Sequence, residues 1–176
     1  MILYFLRHAS AGEHFASPKK DEKRALDKDG IEQCGYVGRA LAALQVQVDA
    51  IISSPLKRCT QTASLVGNEL GYEGKLQLDP GLRPEAGLAD FRKLLEKYAK
   101  LEAIMVVGHN PNLSQFLGSV ISDSGCEASL ELKKGSVAKV EMRRSSGTLQ
   151  WCLTPKLVRA LYETAVESSR PNTSRK

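Results

Sequence analysis

Met1-Ile-Leu-Tyr-Phe-Leu-Arg7-His8-Ala9-Ser10-Ala11-Gly12 opens the chain, and its reading decides the fold. Six apolar or aromatic residues run without a polar break. That predicts a short strand covered on both faces, because alternation vanishes when neither face meets water. The run stops at Arg7-His8, and small residues and a glycine follow. An arginine and a histidine therefore stand at the carboxyl end of an early buried strand, where open α/β sheets bind ligands. The guanidinium brings fixed charge and a fork of donors. A cation beside an imidazole disfavours its protonated form. A neutral imidazole held there is suited to attack a phosphoryl group. Taken alone, the pair fits a solvated Arg and a solvated His equally well.

The same grammar recurs twice. Val48-Asp-Ala-Ile51-Ile52-Ser53-Ser54-Pro55 predicts a second buried strand ending in a turn. A helix follows at once through Leu56-Lys57-Arg58-Cys59, with Arg58 in its first turn and Lys57 on another side, in solvent. A cation is unfavourable at a helix N-terminus unless an anion binds there, gathered by free N–H groups and the guanidinium together. Ala103-Ile-Met-Val-Val107-Gly108-His109-Asn110-Pro111 is a third such run, with Pro111 suited to the first turn of the next helix. Parallel neighbouring strands end on one edge of a sheet. Arg7, His8, Arg58 and His109 are thereby predicted to converge on one pocket for a dianionic phosphoryl group, with a histidine attacking in line and the arginines neutralising charge.

Between these runs the chain alternates strands and helices. Residues 13–23 read as an irregular polar loop, in which His14 has no assigned role. Arg24 either leans into the site, as a further substrate-binding arginine, or faces solvent. Asp27 is an N-cap for a helix over residues 28–44, with Ile31, Val37, Leu41 and Leu44 on its apolar face. Leu76–Leu78 is a short strand, and residues 79–87 form a Pro/Gly loop carrying Glu85. Glu85 is either a proton donor at the rim or a solvated carboxylate, the second being preferred. Helical spacing covers residues 88–101, and a second helix runs through Leu113, Phe116, Leu117 and Val120. Ser136–Met142 alternates as a half-exposed strand, paired in a hairpin with Leu149–Leu153 through a turn holding Arg143 and Arg144, both solvated. A last helix spans about residues 156–167.

The 176 residues suit one domain over 1–167, with residues 168–176 expected to be a disordered tail. Apolar content of 42% and charged content of 26% are those of a globular protein. No apolar run is long enough for a bilayer, and the opening run is short for a signal peptide, so a cytoplasmic protein is expected. Cys34, Cys59, Cys126 and Cys152 form no C-x-x-C pair and are expected to be buried, reduced thiols. The net charge of +5 favours acidic or phosphorylated partners. No aromatic-interleaved basic patch points to nucleic acid. No carboxylate cluster accompanies the basic residues, so no metal is expected, and no Walker-type glycine loop is present.

Leu6-Arg7-His8-Ala9, Ser53-Ser54-Pro55-Leu-Lys-Arg58-Cys-Thr-Gln-Thr62 and Val107-Gly108-His109-Asn110-Pro111 resemble, in order and spacing, the three signatures of the histidine phosphatase superfamily. Arg7-His8-Ala9-x-Ala11, Arg24-Ala-Leu-Asp27 and Gly108-His-Asn-Pro111 resemble its SixA-type phosphohistidine phosphatase branch. The resemblance runs from Met1 to about Trp151. It implies a three-layer α/β/α, phosphoglycerate mutase-like fold with a mostly parallel sheet. It implies that His8 is transiently phosphorylated, that Arg7, Arg58 and His109 bind the phosphoryl oxygens, and that no cofactor is needed. Larger members use a glutamate as general acid after the second signature, where this chain offers only Glu85. SixA-type members manage without it, which fits a labile P–N bond. The expected partner is a phosphotransfer domain bearing phosphohistidine, with phosphate or sulfate also fitting the pocket. The alternative is a small-molecule phosphomonoesterase of the same superfamily. A mutase would need a more closed site and more chain. A non-catalytic phosphate-binding adaptor is a third reading, which retention of both histidines and both arginines argues against.

Overall fold

The computed structural model describes residues 1–122, 128–143 and 146–168. Cys126, Arg144 and residues 169–176 of the expected disordered tail lie outside them, while Ser168, the first residue of that tail, ends the last helix.

The opening run is β1 (Ile2–Arg7), with every residue from Leu3 to Leu6 buried. It is followed by α1 (Pro18–Glu22), α2 (Lys28–Ala43), β2 (Ala50–Ser53), α3 (Lys57–Glu69), β3 (Gln77–Leu78) and α4 (Leu88–Lys97). Then come β4 (Ala103–Gly108), α5 (Asn112–Ile121), β5 (Val137–Arg143), β6 (Ser146–Leu153) and α6 (Pro155–Ser168). The six strands form one sheet in the order β3-β2-β4-β1-β5-β6. β1 to β4 are mutually parallel, whereas β5 runs antiparallel to β1 and pairs with β6 in a hairpin. The expected mostly parallel sheet is present.

Successive residues of β1 serve opposite faces. Leu3 and Phe5 pack with Phe91, Leu94, Leu113 and Phe116 from α4 and α5. Tyr4 and Leu6 pack with Cys34, Val37, Leu41, Ala63 and Val66 from α2 and α3. Helices thus cover both faces in three layers, which is why β1 reads as unbroken hydrophobicity. Phe91 stacks on Phe116 with centroids 4.6 Å apart and meets Phe5 at 5.7 Å, joining α4, α5 and β1.

Several sequence expectations need correction. Residues 13–23 are not all loop, since Pro18 opens the five-residue α1. The buried stripe of α2 is Gly30, Cys34, Val37, Gly38 and Leu41, while Ile31 and Leu44 are more than half exposed. Val37 and Leu41 face inward as expected, and Gly30 and Gly38 complete the stripe because Ser10 and Glu69 approach there too closely for a side chain. Helix α4 stops at Lys97 rather than near Leu101. Cys34 and Cys59 are buried thiols, but Cys152 is exposed on the edge strand β6.

Candidate active site

Register carries three strand ends to one place. Arg7 of β1 lies opposite Gly108 of β4, and Val107 lies opposite Ser53 of β2. The next residues are therefore neighbours: the His8 N–H donates to the Gly108 carbonyl at 3.0 Å, and the Ser54 N–H to Val107 at 2.9 Å. The imidazoles of His8 and His109 stand 5.1 Å apart between centroids. Arg58 enters from the first turn of α3, as its position after Ser-Ser-Pro predicts.

The loop after His8 is held from two sides. The Ala9 N–H donates to Thr62 Oγ1 at 3.1 Å, and that hydroxyl donates to the Arg58 carbonyl at 2.7 Å, tying the loop to α3. Asp27 caps α2 by accepting from the Gly30 N–H at 2.7 Å, and its second oxygen accepts from Ser10 Oγ and the Gly12 N–H, each at 2.7 Å. One carboxylate thus starts a helix and fastens the loop that follows the candidate nucleophile.

His8 is 6% exposed and its Nδ1 lies 2.8 Å from the Ala9 carbonyl oxygen. A carbonyl only accepts, so Nδ1 carries the proton and Nε2 keeps its lone pair. Burial pushes the His8 pKa down to about 3, with Arg58, Arg7 and Arg24 lowering it further and the Ala9 bond opposing. His109, 2% exposed, shares a hydrogen bond between Nε2 and Ser54 Oγ at 2.9 Å. Burial, then His8 and Arg58, drive its pKa to about 2. Both imidazoles are neutral throughout the physiological range.

The two arginines are anchored alike. Arg7 Nη1 donates to the Leu132 carbonyl at 2.7 Å. Arg58 Nη1 donates to the carbonyl and the Oδ2 of Asp21, at 3.0 and 3.1 Å. In both, Nε is buried without a partner among the described residues. Unpaired buried donors are costly. Two of them on guanidiniums that line one pocket give it a chemistry suited to an oxyanion.

A pocket of about 640 Å³ opens here, lined by Arg7, His8, Arg24, Arg58 and His109, all five singled out from the sequence. Arg24 is turned inward, but Nε is taken by Asp21 at 2.7 Å and Nη1 by the carbonyls of Ala11 and Gly12 at 3.0 and 3.2 Å. Only its Nη2 remains for a ligand. Glu85 lines the mouth, exposed but not free: Arg83 Nε donates to it at 2.6 Å, and Arg83 also pairs with Glu22 of α1. That hydrogen bond holds the Glu85 carboxyl below the usual range. His14, Asn110 and Lys134 also line the pocket. Sequence reasoning missed Asp21, which bridges Arg24 and Arg58. Its spacing of three from Arg24 was the available signal, hidden by reading the segment as loop. No group of three or more His, Cys, Asp or Glu side chains disposed to hold a metal occurs among the described residues. No helix among them is long and apolar enough to cross a membrane.

A model of the histidine phosphatase superfamily (branch 1) matches residues 3–95. A protein of Picosynechococcus sp., itself uncharacterized, is 31% identical over 153 residues, covering 85% of this chain and 89% of the relative. Phosphohistidine phosphatase SixA of Escherichia coli K12 is 23% identical over 158 residues, covering 88% and 94%. A solved structure of the protein histidine phosphatase SixA with tungstate superposes at a TM-score of 0.80 and 22% identity, covering 90% of this chain and 99% of that one. The three-layer architecture is shared with it.

Proposed function

The chain belongs to the histidine phosphatase superfamily, with its phosphoglycerate mutase-like fold, and from that premise we propose that it removes phosphoryl groups from phosphohistidine on a signalling phosphotransfer protein. The observation that carries this reading is His8. It is buried, neutral, protonated on Nδ1 by its bond to Ala9, and ringed by three guanidiniums. The lone pair on His8 Nε2 attacks phosphorus in line. The P–N bond to the substrate imidazole breaks, and that imidazole leaves with the electron pair. Arg7 and Arg58 take the equatorial oxygens through donors left without protein partners, and His109 lies against the same group. These contacts supply the charge stabilisation that a metal supplies elsewhere. Water then attacks the phosphohistidine, and Nε2 of His8 and inorganic phosphate are released.

Leaving-group chemistry supports a phosphohistidine substrate. Glu85, like Glu22 a carboxylate at the pocket mouth, is ion-paired with Arg83 and held ionised, so it is no proton donor at neutral pH. A phosphoimidazole leaves with little help, whereas an alkyl phosphate needs an acid. The similar SixA proteins are phosphohistidine phosphatases, one solved with an oxyanion, which agrees with this reading. The catalytic unit is proposed to span residues 1–167 and to act in the cytoplasm.

The test is phosphate release without added metal from a phosphohistidine-bearing phosphotransfer domain, against a panel of sugar and glycerate phosphates. Preference for the protein substrate, lost in His8→Ala, is expected. Preference for a small phosphomonoester would move the function to metabolism.

A further inference from the structure

Among the described residues, Asp21 is the only buried carboxylate, and it lies against a pocket built for anions. That placement is unfavourable for the proposed ligand, because a fixed negative charge repels a phosphoryl group and occupies a guanidinium. It therefore calls for a role.

The geometry gives one. Asp21 Oδ2 and the Asp21 carbonyl both take Nη1 of Arg58, at 3.1 and 3.0 Å. Oδ1 takes Nε of Arg24 at 2.7 Å and the Phe15 N–H at 3.3 Å. His14 Nδ1 stands 3.6 Å from the same oxygen. Arg58 is thus gripped at one nitrogen by two acceptors from a single residue. Its Nε is buried without a partner among the described residues, on a side chain lining the same pocket as His8 and His109. The adjacent Glu22 pairs with Arg83 across the pocket mouth. Five residues of helix do not hold themselves, so α1 is fixed from inside by Asp21 and from outside by Glu22.

We propose that Asp21 is a positioning residue of the phosphoryl pocket: it acts through Arg58, clamping Nη1 so that the rest of the guanidinium is aimed at the phosphoryl oxygens. This rests on the reading of the pocket as a phosphoryl site, but not on which phosphorylated substrate is used. Burial opposes the charge on Asp21, but the bonds from Arg24 and Phe15 and the charge of Arg58 outweigh it and keep the group ionised. It is therefore a counter-ion and not an acid catalyst.

The experiment is a double-mutant cycle of Asp21→Asn and Arg58→Ala, read by two quantities: kcat and KM for the phosphohistidine substrate, and Kd for inorganic phosphate by calorimetry. Asn keeps the size but removes the charge and cannot accept on both arms. With the fold verified by circular dichroism, Asp21→Asn is expected to lower kcat about 10- to 100-fold, less than the roughly 10²- to 10³-fold cost of deleting a transition-state donor, because Arg58 itself remains. Phosphate Kd should rise several-fold. In the Arg58→Ala background the same change should cost under about 2-fold, since its route is already cut. A folded Asp21→Asn with kcat and phosphate Kd within about 2-fold of the parent overturns the proposal, as does full additivity with Arg58→Ala. If the Asn variant does not fold, Asp21→Glu carries the test: a longer carboxylate keeps the charge and shifts the clamp, and an unchanged kcat overturns the proposal. Should the parent hydrolyse no phosphohistidine, the phosphate-binding arm decides on Asp21 independently.

Discussion

At the scale of single residues, His8 is defined by what surrounds it more than by what it is. Replacing it with alanine should lower turnover by about 10³-fold or more while leaving inorganic phosphate bound within about 10-fold, because the guanidiniums remain. Parallel loss of both would return the adaptor reading. Neutral burial also has a cost in stability. The pKa of His8 falls to about 3 and that of His109 to about 2 in the folded chain, against about 6.5 when unfolded. Between these values the unfolded chain binds more protons, so stability falls as pH drops below about 6.5, by up to about 1.4 kcal/mol per pH unit for each histidine. Urea unfolding between pH 7 and 5 should show that slope, and His8→Asn should remove about half of it. An unchanged slope would mean that His8 is not held neutral. Glu85→Gln gives a third reading: release from a phosphohistidine protein should stay within about 3-fold of the parent, since Glu85 is tied to Arg83 and donates no proton. Arg7, His8, Arg58 and His109 were visible in the sequence because each follows a run too apolar to be anything but a buried strand or opens the helix after one. Asp21 was not, because its meaning lies in Arg58, 37 positions away.

At the scale of elements, α2 shows which features are local. Its start was legible, because Asp27 caps it through the Gly30 N–H, an interaction contained within four residues. Its inward face was legible only in part: Val37 and Leu41 are buried as expected, whereas Ile31 and Leu44 are exposed and glycines take their share of the contact. Gly30 faces the Ser10 carbonyl so closely that a Cβ would collide with backbone. Gly30→Ala should therefore cost about 1–3 kcal/mol of stability and lower kcat as well, because Ser10 belongs to the loop following His8. Denaturant midpoint and steady-state kinetics check both, and a stable variant with normal kcat would show that the loop yields freely. Helix α1 was illegible for the opposite reason. Five residues are too few to show a period, and tertiary ion pairs through Asp21 and Glu22 hold it.

For the whole molecule, β1 is the shared wall of two cores, one beneath α4 and α5 and one beneath α2 and α3. The Phe91–Phe116 stack and its contact with Phe5 lock the first core to the strand that delivers Arg7 and His8. Phe91→Ala should cost about 3–5 kcal/mol, measured as a fall in the urea midpoint, and phosphate affinity should be kept below that midpoint. The sequence by itself determined the α/β class, the buried strands and the four candidate site residues that line one pocket. Those features rest on unbroken hydrophobicity and on capping and turn chemistry, which act over a few residues. Tertiary structure alone decided the share of Gly30, Cys34 and Gly38 in the inner face of α2, the existence of α1, the engagement of Arg24 and Glu85, and the pairing of Asp21 with Arg58. Each depends on close approach or charge pairing between segments far apart in the chain, and a pattern of neighbours carries no record of such distances.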